Sequence, residues 1–283
     1  MLMKRWNTVA IVGVGLIGGS VGLALRQRRL AEHVIGIGRR ASSLRSAKRA
    51  GAVTRTTIDL SRGVADAELV VVCTPVAHIA QHVRQAAAAC VNAALITDAG
   101  STKVEIVRQL DGSLPGSAPF VGSHPLAGSE KSGSAHASGD LFKGRVVVVT
   151  PTRRTPKAAL DVATEFWSSL GATVAPMSPA AHDRALAATS HVPHVVASAL
   201  VSSVREADFP LASTGLRSTT RIAASDSELW AQILLSNSTQ ALKSLDRFDQ
   251  SLSALREAIR QNDSPQLVKL LGQAKRKRDA LGN

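Results

Sequence analysis

Residues 9–20, VAIVGVGLIGGS, put Gly13, Gly15 and Gly18 where a short apolar strand runs directly into a helical pattern. Few folds have a use for that arrangement. A strand that turns at once into a helix needs a residue without Cβ at the bend, here Gly13. Gly15 leaves the backbone bare so that a pyrophosphate can approach, and Gly18 lets the helix pack close to the strand. The first amides of that helix, from Leu16 and Ile17 onward, have no intrahelical acceptor and are free to hold phosphate. Glycine-rich turns also occur for purely structural reasons. Here the motif follows the first strand candidate and begins a repeating strand–helix pattern, which favours dinucleotide binding.

The repeat runs through residues 8–13, 33–38, 67–74, 92–99, 118–123 and 144–150, with a weaker strand candidate at 172–177. These runs are short, continuous and rich in Val and Ile, as strands buried on both faces must be. Helix-length stretches at 18–29, 41–50, 76–89 and 103–110 separate the early ones. The pattern predicts an α/β, Rossmann-like, doubly wound and mostly parallel sheet. Only eight of the 283 side chains are aromatic, so its core must be built from Ala, Val, Leu and Ile. After Ser178 strand signals cease. A Ser cap candidate and Pro179 open one apolar helical pattern, and a second follows from Asp226. We expect a dinucleotide-binding domain over 1–178 and an all-helical substrate and dimerisation domain over 179–283. The helices between 182 and 259 carry more apolar face than one small domain can bury, which predicts a homodimer through the helical domains.

The net charge of +13 is concentrated in the first domain, and residues 26–62 alone carry ten basic side chains against Glu32 and Asp59. Such a zone suits nucleic acid, a membrane surface or a phosphorylated small molecule. No helix-turn-helix or aromatic stacking platform accompanies it, so we expect no nucleic-acid partner. Two cysteines, Cys73 and Cys90, are too few for a disulfide framework. Lys4 and Arg5 before an apolar run resemble the start of a signal peptide, but the glycine spacing argues otherwise. The apolar stretch 185–201 is broken by two His and a Pro and falls short of a bilayer span. The expectation is a cytoplasmic protein without a membrane partner. His78 and His82 stand four apart, but no Glu follows His78 and no third ligand is evident, so no metal is expected.

At the end of the second strand an acidic side chain would hold the ribose 2′-hydroxyl of NAD. This chain reads GIGRRASS, with Gly38 in place of the acid, then Arg39, Arg40, Ser42 and Ser43. Two guanidiniums can grip a 2′-phosphate in fork geometry, so NADP is preferred over NAD, unless Arg39 and Arg40 are merely solvated surface. Thr74 and Pro75, at the end of the 67–74 strand candidate, complete the expected cofactor contacts.

Three stretches carry polar groups where a sheet would present them to a cleft: TDAGSTK (97–103), GSHPLAGSEKSG (122–133) and SHVPH (190–194). With STTRIAASDSELW (218–230), they make the chain resemble the prephenate and arogenate dehydrogenase family of tyrosine biosynthesis over nearly its whole length. That resemblance implies NAD(P)-dependent oxidative decarboxylation of a cyclohexadienyl acid, leaving an aromatic phenol. It implies that His124 takes the ring hydroxyl proton and that Ser101 hydrogen-bonds the same hydroxyl. A neutral imidazole suits that task near pH 7; by spacing alone, a His before Pro could equally be a structural hydrogen-bonder. The resemblance assigns Arg221 to a substrate carboxylate. It places His194 and, less directly, His191 along the cleft, with Ser129 and Glu130 at the pocket entrance; either His could instead be a satisfied helix-interface residue. Trp230 reads as packing. Some relatives carry an acid three residues before the arginine, where this chain has Ser218. Since the chain ends soon after the helical domain, any feedback by tyrosine is expected to act at the active site. The competing readings are a β-hydroxyacid dehydrogenase or imine reductase, which place a catalytic Lys or Asp where SHVPH stands, and a non-catalytic NADP sensor.

Overall fold

The computed structural model describes residues 5–92, 94–129, 131 and 133–282. The first half alternates β1 (Trp6–Val12), α1 (Leu16–Gln27), β2 (Ala31–Ile37), α2 (Ala41–Arg49), β3 (Arg55–Thr57), α3 (Leu60–Val64), β4 (Leu69–Val72) and α4 (Val76–Ala89). It continues through β5 (Leu95–Asp98), α5 (Val104–Leu110), β6 (Phe120–Pro125), β7 (Val146–Thr150), α6 (Lys157–Ser169) and β8 (Thr173–Pro176). All eight strands form one sheet in the order β3-β2-β1-β4-β5-β6-β7-β8. Every neighbouring pair is parallel except β6 and β7.

The strands lack polar alternation because both faces are covered. Val9, Ile11, Leu69 and Val71 point into one apolar layer with α1, α2 and α6. Ala10, Val12, Val70 and Val72 point into the other with α3, α4 and α5. All eight side chains are buried, which fixes each strand's register, since a slip of one residue would exchange the two layers. Two elements escape a hydrophobic reading. β3 is only Arg-Thr-Thr at the sheet edge, and α3 is a five-residue turn capped by Asp59, whose side chain accepts the Arg62 amide. The strand expected over 118–123 instead runs to Pro125. His124 therefore lies in a strand, opposite Val148 of β7, and not in a following loop.

From Ser178, whose hydroxyl accepts the Ala181 amide, the described chain is helical. α7 (Pro179–Leu186) passes through a π-helical turn (Ala187–His191) into α8 (Val192–Ser202). This continuous run of 24 residues contains an 18-residue window of mean hydropathy 1.2, so the expectation that the segment is too short to cross a bilayer fails on length. What separates it from a span is its polar anchoring: His182, Asp183, His191 and His194 are all buried against the protein. Two 3-10 turns (Glu206–Leu211 and Arg221–Ala224) flank α9 (Thr214–Thr220). α10 (Ser227–Ser236), α11 (Ser238–Arg260) and α12 (Ser264–Ala280) follow. The pattern read as one segment from Asp226 is thus broken at Asn237, whose side chain turns inward to donate to the Asp183 carbonyl.

Candidate active site

The glycine turn has the form that phosphate binding requires. Gly13 sits at φ +96°, and a Cβ there would lie 2.7 Å from the Cys73 carbonyl oxygen. A Cβ on Gly18 would fall 2.0 Å from the Gly13 carbonyl oxygen, whereas one on Gly15 would meet nothing within 4 Å. The bend and the close helix approach thus exclude side chains, and the space over Gly15 stays open. Gly15 caps α1 without a side-chain hydrogen bond, and the first turn holds no acid, so the amides of Leu16 and Ile17 remain available to an anion. A dinucleotide's pyrophosphate fits this cradle.

Arg39, Arg40 and Ser42 are exposed where β2 ends and α2 begins. Thr74 and Pro75 lie at the corresponding end of β4, and the Thr74 hydroxyl is 3.0 Å from His82 Nδ1. His82 is held below its ordinary pKa by partial burial, by His78 and by the positive charge of Arg39. The sequence pair His78–His82 therefore belongs to the rim near Arg39; among the described residues no cluster could hold a metal ion.

At the end of β5, Asp98 and Lys103 form an ion pair with no solvent exposure on either side chain. Asp98 also accepts the Gly100 amide at 2.8 Å and the Ser123 amide at 3.0 Å. These bonds shape the loop that carries Ser101, which stays partly exposed between buried neighbours. Thr102 reaches Ser236 of α10 at 3.0 Å, so the loop is pinned to both halves of the protein. Cys73, partly exposed beside Asp98, has its thiol pushed up by desolvation and by that carboxylate.

His124 is partly exposed near the end of β6, and its Nδ1 lies 2.8 Å from His182 Nε2. His182 Nδ1 in turn lies 2.7 Å from Asp183 Oδ1. The Asp183 carboxylate also accepts the amides of Lys103 at 2.8 Å and Val104 at 2.9 Å, capping α5. Burial first, then His182, Lys103 and His191, hold His124 well below its ordinary pKa, so its imidazole is neutral at pH 7.

Farther along the same helical run, His191 is buried and its Nδ1 lies 3.3 Å from Asn237 Nδ2. His194 stacks on Trp230 with ring centroids 3.6 Å apart, beside the Arg221 turn, where it hydrogen-bonds the Ile222 backbone. Its Nε2 is buried without a hydrogen-bond partner among the described residues. Trp230 also meets His191 edge-on at 6.3 Å, so this indole, read as packing, sets the plane of one site histidine and borders the other. Arg221 is exposed. Ser129 is exposed too and accepts the Lys131 amide at 2.9 Å, while Glu130 lies outside the described residues. Ser218 donates to the Thr214 carbonyl within α9.

The residues that sequence reading passed over are His182, Asp183 and Asn237, together with the Asp98–Lys103 pair. A His-Asp dipeptide inside the first turns of an apolar helix is an unusual expense of polarity and was the available signal. Nothing local marked Asn237.

A glycine-turn sheet domain joined to a helical domain, with neutral and partnered imidazoles at their junction, defines a nicotinamide-dinucleotide oxidoreductase. Family models described as the nucleotide-binding domain and the dimerization domain of prephenate dehydrogenase match residues 21–176 and 178–273. The chain is 34% identical to a Bacillus subtilis prephenate dehydrogenase, over 97% of this chain and 76% of that protein. It is 33% identical to a Zymomonas mobilis cyclohexadienyl dehydrogenase, over 99% of this chain and 97% of the other. The crystal structure of A. aeolicus prephenate dehydrogenase with hydroxyphenyl propionate and NAD+ superposes with a TM-score of 0.89 at 31% identity, covering 97% of this chain and 98% of that one. The chain belongs to the prephenate dehydrogenase family, whose reaction serves tyrosine biosynthesis.

Proposed function

We propose that this protein oxidatively decarboxylates prephenate, arogenate or both, forming 4-hydroxyphenylpyruvate or tyrosine, with NADP preferred over NAD, as a cytoplasmic homodimer joined through its helical domain. The observation that carries the reading is the neutral imidazole of His124 beside the loop of Ser101, at the junction of the glycine-turn domain and the helices. His124 takes the proton of the ring hydroxyl, and Ser101 orients that hydroxyl by a hydrogen bond. A nicotinamide held at the glycine turn would supply the acceptor for the hydride of the same ring carbon. Carbon dioxide leaves the opposite ring carbon, and the ring becomes aromatic. Arg221 supplies a guanidinium donor for a substrate carboxylate, and His194, whose Nε2 is unpartnered among the described residues, lines the same cleft. Ser129 borders the entrance.

The preference for NADP rests on Arg39 and Arg40, and on the absence of a carboxylate at Gly38 that would repel a 2′-phosphate. The homodimer is supported by apolar side chains left exposed on α10, α11 and α12, including Leu235, Leu242, Ile259 and Val268.

An assay crossing prephenate and arogenate with NAD and NADP tests the reaction. His124→Asn keeps a hydrogen-bonding group but removes the base; kcat should fall by about 10²–10⁴-fold with dinucleotide affinity retained, and near-normal turnover would remove His124 from this role. Replacing Arg39 and Arg40 by Ala should raise KM for NADP by about 10-fold or more, the worth of one charge-assisted contact, with KM for NAD little changed.

A further inference from the structure

We propose that His182 and Asp183 form a hydrogen-bond relay that keeps the proton on His124 Nδ1 and leaves His124 Nε2 as the bare base, a positioning role resting on the reading of His124 above. The polarity of the relay is set at its far end. Asp183 Oδ1 accepts the Lys103 amide and Oδ2 the Val104 amide, so the carboxylate is fixed as an acceptor. Its third partner, His182 Nδ1 at 2.7 Å, must then donate. A neutral His182 with its proton on Nδ1 has only a lone pair on Nε2, and that atom lies 2.8 Å from His124 Nδ1. His124 Nδ1 must donate in its turn, so a neutral His124 carries its lone pair on Nε2. One carboxylate, held by two backbone amides, thereby decides the tautomer of a ring 59 residues earlier in the chain.

The surroundings hold the arrangement in place. His182 and Asp183 are 0% and 1% exposed, so water does not compete for these bonds. The charged and titratable groups facing His124 are His182 from α7, Lys103 from the loop before α5, and His191 from the π-helical turn. The Lys103 ammonium is paired with Asp98, and His191 faces His182, Asp183 and His194. Of the two carboxylates here, Asp98 is ion-paired with the Lys103 ammonium, and Asp183 accepts the Lys103 amide. When the substrate O–H bond breaks and the His124 Nε2–H bond forms, the ring becomes an imidazolium. No bond in the relay need break: the Nδ1–H contact to His182 becomes charge-assisted, and Asp183 opposes the new charge through His182. The proton on Nε2 later passes to solvent.

A purely structural cap joining α5 to α7 would have the same distances, so the test must separate the two. Full-length enzyme carrying His182→Phe, His182→Gln or His124→Asn is compared for kcat, KM and the pH profile of kcat/KM between about pH 5 and 9, with dinucleotide binding measured in parallel. His182→Phe should lower kcat by about 10²-fold while KM moves little, and should shift the acid limb to lower pH, because the imidazolium loses its acceptor. His182→Gln offers a carbonyl to His124 and an amide to Asp183, and should recover most of the rate and the limb. A Phe variant with near-normal kcat and an unshifted limb overturns the relay, as do Phe and Gln variants that lose rate equally. If the Phe variant does not fold, 15N spectra of histidine-labelled wild-type enzyme decide: His124 protonated on Nδ1 supports the relay, and on Nε2 overturns it. Normal turnover by His124→Asn overturns the reading of His124 itself, an outcome separate from any result at His182.

Discussion

The two halves of the chain spend their apolar residues differently. In the sheet half, β4 and β5 are buried along their full lengths and every apolar side chain on them meets a helix layer. In the helical half, α11 buries only Ala241, Ser244 and Ala258 of its 23 residues, and α12 buries none. The sheet half is a finished core. The helical half is a platform whose apolar side chains are only partly covered within one chain, and its fixed points are polar: Asp183 on α5, Thr102 on Ser236, Asn237 on Asp183. The candidate catalytic imidazole stands where the rigid half meets that platform, which suits a site that must hold one ring precisely while admitting and releasing another.

The sharpest way to break this comparison is to place the same charge in each half. Val70 is fully buried between β1 and β5, and an aspartate there would be an unpaired charge inside the apolar layer. The cost exceeds the roughly 5–15 kcal/mol that holds a protein folded, or a large part of it. Val70→Asp should leave no folded protein by circular dichroism. A folded Val70→Asp enzyme would show that the sheet is not the rigid half.

A smaller effect sharpens the picture of the phosphate cradle. Gly18→Ala drives a methyl into the Gly13 carbonyl oxygen, and must displace backbone on one side of the turn. Overpacking of this kind costs about 1–3 kcal/mol or more, so we expect a lowered melting temperature together with lost dinucleotide binding. Gly15→Ala meets open space. It should melt like the wild type yet bind dinucleotide about 10-fold more weakly, because the methyl occupies the approach to the phosphates. Equal binding by both variants would mean that the turn is structural only.

How much of this was legible follows the same division. The sheet could be read because Val and Ile runs separated by glycine and short helical stretches admit few other folds. β3 could not, since Arg-Thr-Thr pairs by backbone alone at an edge. His124 was identified through its motif, but the strand read over 118–123 stopped one residue short of it; that strand runs to Pro125, and the Leu126 amide bonds the Val146 carbonyl just beyond it. The contacts of His124 with His182, and of Asn237 with Asp183, join positions far apart in sequence through the docking of helices on the sheet, and no local pattern encodes them. The break at Asn237 was missed for that reason: the apolar spacing continues through it, and its cause lies in a partner 54 residues away.

Acid should loosen the junction before the sheet core. His191 is held by burial at about 4, below its ordinary value of 6.5, and His124 and His194 are lowered in the same direction. An unfolded chain binds these protons below pH 6.5 while the folded chain refuses them, so stability falls as pH drops from 6.5 toward each folded value. His191 alone should remove about 2 kcal/mol between pH 7 and 5. Urea midpoints at the two pH values measure this. His191→Gln, whose carbonyl can still accept from Asn237, should show a smaller difference than the wild type; an equal difference would place the acid sensitivity elsewhere. Catalysis need not follow stability here, because a His124 lowered by burial stays a competent base below pH 6.5.

The mildest perturbation returns the same charge to the platform. Leu252 and Ile259 on α11 are 50% and 65% exposed. Aspartate there meets solvent in the lone chain, and single-chain stability should change by less than about 0.5 kcal/mol, as for ordinary surface positions. If a second copy covers this face, each charge is buried on association. The dimer should then weaken at least 10-fold, or about 1.4 kcal/mol, per substitution. Sedimentation across a concentration series reads the shift, and the melting temperature of the dilute variant reads the fold. A weaker dimer that stays folded when dilute keeps the two halves distinct. Unchanged association would mean that the partner covers some other face, whereas unfolding on dilution would show that the helical half takes its core from its neighbour.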